Sequence, residues 1–152
     1  MDPTVTMLER VLAAAGQALH ITIRPVTDRP SLARLADAVD EAPSGVRVDW
    51  TRLRGFVDWL ALHPDQLAAS VAAPPARTGT VLDALLAGMA EKLSADAGLT
   101  PPRWARSVPP LGEPWVTPGT PRMVAQAELR TPPEFRRRNI VLDERSLWRA
   151  GG

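Results

Sequence analysis

From residue 101 onward proline recurs at positions 101, 102, 109, 110, 114, 118, 121, 132 and 133, nine of the chain's 16 prolines. Each one removes a backbone donor and fixes φ, so this part of the chain holds neither a long helix nor a central strand. Yet Trp104, Val108, Leu111, Trp115, Val116, Phe135, Ile140, Val141, Leu142 and Trp148 are set among the prolines. That is more apolar material than a disordered tail carries. The sequence therefore predicts an ordered wrap of turns and short helices, the helices near 121–129, 132–138 and 144–149. Thr131-Pro132-Pro133-Glu134 has the order of a helix cap, a first-turn proline and a first-turn acid.

One segment is suited to being wrapped. Leu82, Leu85, Leu86, Met89 and Leu93 recur at helical spacing and form one continuous stripe, with Thr80 placed to cap the start and Gly98 to end it. Trp104 follows Pro101 and Pro102 closely, so its indole can fold back across that stripe. Upstream, Leu32, Leu35, Ala36 and Val39 predict a helix from Ser31 to the Pro43-Ser44-Gly45 stop. Asp49 can cap a further helix with Trp50, Leu53, Phe56, Val57 and Leu60 on one side and Gly55, Trp59 and Leu62 on a second, as if covered on both. His63-Pro64 breaks it. A short helix follows with Leu67 and Val71 inward, and 74–79 reads as a flexible joint. Near the start, 4–16 reads as a helix and 18–24 as a strand, in which Leu19, Ile21 and Ile23 alternate with polar residues. The expected fold class is mainly α: a small helical domain with one short strand and a Pro/Trp-rich C-terminal wrap of short helices and turns.

At 152 residues the chain can bury a real core. No apolar run approaches the roughly 18–20 residues that span a bilayer. The opening MDPTVTMLER is acidic and amphipathic, unlike a signal peptide, and there are no cysteines, so a cytoplasmic protein is expected. Residues 1–100 carry 9 basic and 12 acidic groups and residues 101–152 carry 9 and 5, leaving a body at −3 and a tail at +4. Only Lys92 among the basic residues is a lysine, a bias expected of a GC-rich genome, which weakens arginine content as a nucleic-acid signal.

His20 and His63 lack a paired carboxylate or a second histidine at ligand spacing, and no nucleophile or phosphate-loop motif occurs. The expectation is a non-enzyme with no cofactor and no metal. An enzyme would need Asp83, Glu91 or Asp96 to converge, whereas on the central helix they fall beside or opposite the leucine stripe. Arg136, Arg137 and Arg138 could neutralise phosphates, or could form a solvated face paired with Glu134, Asp143 and Glu144. Trp50, Trp59 and Trp104 are assigned to the core; Trp115 and Trp148, among turns and near the end, stand between core and partner anchor. The candidate partner-binding set is Trp115, Phe135, Arg136, Arg137, Arg138 and Trp148.

Pro3, Thr4, Leu8, Val11, Leu12, Ala14 and Gly16 lie in PTVTMLERVLAAAGQALHITIRP, which resembles the closing segment of Xre-type helix-turn-helix regulators. The resemblance implies that residues 1–25 are the last helix and strand of such a domain, followed by a helical lobe at 26–73 and the central helix with its wrap at 80–150. The recognition helices of that family would lie upstream of Met1, so DNA binding is expected only if they exist. The tail TPRMVAQAELRTPPEFRRRNIVLDERSLWRA is similar to C-terminal regions of actinobacterial helix-turn-helix proteins that accompany nucleotidyltransferase-like toxins. Together these imply a regulatory or antitoxin-like protein whose partner is a toxin encoded nearby. The alternatives are a truncated Xre-type DNA-binding regulator and a small enzyme.

Overall fold

Thr80 starts the element on which the rest is built: its hydroxyl accepts from the Leu82 amide at 3.2 Å and opens a helix over Val81–Asp96. In the computed structural model, which describes residues 29–43 and 45–149, this helix (here α3) is the third of six α-helices. The helix expected at 4–16 and the strand at 18–24 lie outside the described residues. At the far end the Gly98 amide donates to Ala95 and the Leu99 amide to Ser94, with Gly98 at φ +69°. This crossed pair satisfies two orphan carbonyls and needs a residue at ease in the left-handed region, which is why glycine stands there.

The leucine stripe is buried as expected, but α3 is not amphipathic. Every residue from Val81 to Ala90 is buried, including Ala84, Ala87, Gly88 and Ala90 away from the leucines. A helix that is apolar or small all round belongs inside, and the small residues are what admit a neighbour on the second side. That neighbour is Phe135, fully buried, which lies so close that a Cβ on Gly88 would come within 2.7 Å of its ring.

The N-terminal part departs from expectation. Leu32–Asp37 is a 3-10 turn, not the start of a longer helix, and Val39–Ala42 (β1) pairs antiparallel with Gly45–Val48 (β2). Val39, Val46 and Val48 favour extended backbone, and Gly45 at φ +114° supplies the turn. Helix α1, Trp50–Leu62, is capped by Asp49, which accepts from the Arg52 amide at 3.2 Å. It buries Leu53, Phe56, Val57 and Leu60, while Gly55 and Leu62 are exposed, so it is sealed on one side and not on two.

Helix α2, Leu67–Ala72, turns Leu67 and Val71 inward. The last residues of the segment read as a joint, 77–79, are hydrogen-bonded to α3. Asp83, in the first turn of α3, accepts from the Thr78 amide and hydroxyl, both at 2.8 Å, from the Gly79 amide at 3.0 Å and from Arg77 Nε at 3.4 Å. Burial pushes this carboxyl's pKa up, but the bonds from Thr78 and Gly79 and the Arg77 cation outweigh it and hold it below its ordinary value of 3.8. A carboxyl with a lowered folded pKa stabilises the fold above the unfolded value and loses that contribution as pH falls through the folded one. Asp83→Asn sets an amide nitrogen against a donor, so it should cost about 1–3 kcal/mol at neutral pH. It should also flatten the loss of stability below pH 3.8 relative to the parent, as read by melting curves across pH. An acid limb unchanged by the substitution would mean that another carboxyl governs it.

After α3 come α4 (Arg103–Ser107), β3 (Trp115–Val116), α5 (Pro121–Arg130), α6 (Pro133–Arg136), β4 (Ile140–Val141) and a 3-10 turn at Glu144–Ser146. Trp104 on α4 is half-buried against the core, and its Nε1 donates to the Val71 carbonyl at 2.8 Å, joining α4 to α2. Strands β3 and β4 pair in parallel, Trp115 beside Ile140 and Val116 beside Val141. Asn139, at φ +60°, turns the chain into β4 and donates from Nδ2 to the Leu111 carbonyl at 2.7 Å. Thr131 does not cap α6. Its hydroxyl donates back to Ala127 at 2.7 Å and accepts from the Leu142 amide at 3.2 Å. The described residues are thus mainly α with two small two-stranded ladders, in places where no strand was expected. One hydrophobic cluster runs from Leu32 to Leu147.

Candidate partner-binding site

Of the six residues proposed to meet a partner, the structure places two in the interior. Phe135 is fully buried between α3 and Trp148, whose ring meets it edge-on at 6.0 Å. Arg138 is also buried, its Nη2 2.6 Å from Glu91 and 2.6 Å from the Ala105 carbonyl, its Nη1 2.8 Å from the Val108 carbonyl. Burial removes Phe135 from any surface a partner could reach and leaves Arg138 only at the back of an open cleft. Arg138 is held by α3 and the chain around α4 and not by the nearby acids expected to pair with it.

The other four remain reachable. Arg136 is exposed and its Nη2 donates to the Glu128 carbonyl at 3.1 Å, and Arg137 lies 3.6 Å from Glu91. Trp148 is half-buried under the Lys92 ammonium, 5.1 Å from the ring centre. Trp115, left between core and partner anchor by the sequence, is half-buried too, because it stacks on Trp50 at 6.3 Å with the rings 25° apart. Trp50 begins α1 and Trp115 lies in β3, so α1 and the β3–β4 ladder together set the pair.

That pair forms the wall of an open groove of about 470 Å³, completed by Ala42, Val46, Arg47 and Val48 of the hairpin and by Pro118. Pro118 also borders a second groove of about 310 Å³, where Met123 and Ala127 of α5 face Asp143 and Arg145. The polar end of this second groove is satisfied from within. Arg145 Nη2 reaches Asp143 at 2.7 Å and Gln126 at 3.2 Å. The Asp143 carboxyl is held below its ordinary pKa first by the side-chain bond from Arg145, against an opposing push from burial, with Arg130 adding to the lowering. Its apolar end is open, with Met123 57% exposed.

Sequence reasoning placed Trp50 wholly in the core and did not single out Met123 or Pro118. The missing signal was the pairing of Val39–Ala42 with Gly45–Val48, which sets Val46 and Val48 beside Trp50 in the groove lining.

The carboxylates an enzyme would need stand apart. Asp83 is committed to Thr78 and Gly79, Glu91 to Arg138, and Asp96 to Lys92 at 3.0 Å. Eight helical residues separate Asp83 from Glu91, about 12 Å along the axis. His63 stacks on Trp59 at 4.7 Å and its ring bonds the Trp59 carbonyl at 2.9 Å; His20 lies outside the described residues. Among the described residues no three metal-ligating side chains gather, and no helix is long and apolar enough to cross a membrane. No family model, curated protein or solved structure matches this chain.

Proposed function

We propose that this protein is a non-enzymatic, antitoxin-like regulator that binds a partner protein, a toxin encoded beside it. Its C-terminal run of prolines and tryptophans acts as a wrap around α3 whose outer side carries the contact. The observation that carries the reading is the Trp50–Trp115 pair, kept half-buried on the wall of an open groove that a chain serving only its own core would close. Large aromatic rings supply contact area at small conformational cost, and anchors of this kind dominate binding energy at interfaces. The neighbouring gene product should co-purify with the chain and be inhibited by it. Trp115→Ala should weaken that complex at least tenfold, about 1.4 kcal/mol. Losing the ring stack should cost the fold only about 0.5–1.5 kcal/mol beyond the area exposed. A neighbour that neither binds nor is inhibited removes the antitoxin reading; a complex insensitive to Trp115→Ala moves the contact elsewhere.

A further inference from the structure

A second surface feature shares no residue with the tryptophan groove. Glu91 of α3, Arg106 of α4, Val108 and Pro110 after it, and Arg137 and Arg138 after α6 line one open cleft of about 340 Å³. Three guanidiniums against one carboxylate leave its lining at +2. The single acid is already engaged, at 2.6 Å from Arg138 and 3.6 Å from Arg137. Arg138 is a fixed charge at the back, pinned by two carbonyls, and its Nε has no hydrogen-bond partner among the described residues. At the front, Arg106 is exposed and has no partner among the described residues, and Arg137 is 67% exposed on a long, shared ion pair. The front pair is therefore unspent.

We propose that this cleft receives a carboxylate carried on an acidic segment of a partner protein. Arg106 and Arg137 would clamp the group and Arg138 would add its charge from behind. Planar guanidiniums pair with carboxylates in forked geometry, and the apolar Val108 and Pro110 give the methylene stem of a Glu or Asp a surface to lie on. A nucleic-acid strand fits less well. It presents a phosphate every few ångströms and calls for a run of cations along its path, whereas this is one spot. Glu91 in the lining also repels a dianion more strongly than a carboxylate.

The test is fluorescence anisotropy with the full chain and a labelled Glu/Asp-rich peptide, at low and raised salt. The expected result is saturable one-to-one binding that weakens with salt and falls at least tenfold in Arg106→Ala/Arg137→Ala, with the melting temperature unchanged. Arg106→Glu/Arg137→Glu should lose the acidic peptide and gain a lysine-rich one. Equal binding by parent and double-alanine variant, no saturable binding, or binding of inorganic phosphate or an oligonucleotide as tight as that of the peptide would each overturn the assignment. Because neither arginine lines the tryptophan groove, this result is independent of the neighbour's co-purification.

Discussion

Phe135→Ala is expected to lower stability by about 3–5 kcal/mol, a fall in melting temperature on the order of 10 °C for a chain of this size. The ring is fully buried, and it fills a notch that exists because residue 88 has no side chain. Removing it leaves a cavity that rigid helix backbone on the opposite side cannot close. The same geometry yields an internal check through Gly88→Ala. Inside a helix that change ordinarily gains about 1 kcal/mol. Here the added methyl would meet the ring at 2.7 Å, and overpacking of this kind costs about 1–3 kcal/mol. Gly88→Ala should therefore destabilise the parent yet become neutral or favourable once Phe135 is alanine. If it stabilises both backgrounds, the ring does not seat on Gly88.

Arg138→Met is expected to be as damaging, about 3–5 kcal/mol in denaturant titrations, because it breaks a buried pair from one side only. Glu91 would lose its 2.6 Å partner, and the Ala105 and Val108 carbonyls would lose their donors. Glu91→Met/Arg138→Met should recover part of the loss, since the stranded carboxylate is gone, but not all of it, since the two carbonyls remain unsatisfied. Arg138→Lys should rescue poorly, one ammonium being unable to reach three acceptors arranged around a flat fork. A stability for Arg138→Met within about 0.5 kcal/mol of the parent, the usual range for surface changes, would mean that the pair is not buried in solution.

What could be read from residues alone was what spacing reports. The Leu82 to Leu93 stripe, the Thr80 and Asp49 caps and the Gly98 stop are local patterns, and all were found in place. The second buried side of α3 was not legible, because Ala84, Ala87 and Gly88 are small enough to suit water or a tight contact and only the arrival of Phe135 decides. The hairpin was hidden by Asp40, which reads as the outside of a helix; its trace was β-branched Val39, Val46 and Val48 on either side of Pro43 and Gly45. Arg136, Arg137 and Arg138 are the same residue three times over, so nothing in their identity marks the third as buried. Its partner stands 47 residues upstream. Trp50 and Trp115 are a still more distant pair, and a stacked ring reads in sequence like an exposed one.

The span between Glu91 and Arg138 also sets a schedule. At roughly 5–20 residues per second, a ribosome that has just placed Glu91 needs about 2–9 seconds to reach Arg138. Throughout that interval the nascent chain carries a nearly all-apolar helix with one flank uncovered and a carboxylate awaiting its counter-charge. Phe135, which closes that flank against Gly88, is itself made well after the helix, so the helix is complete before its cover arrives.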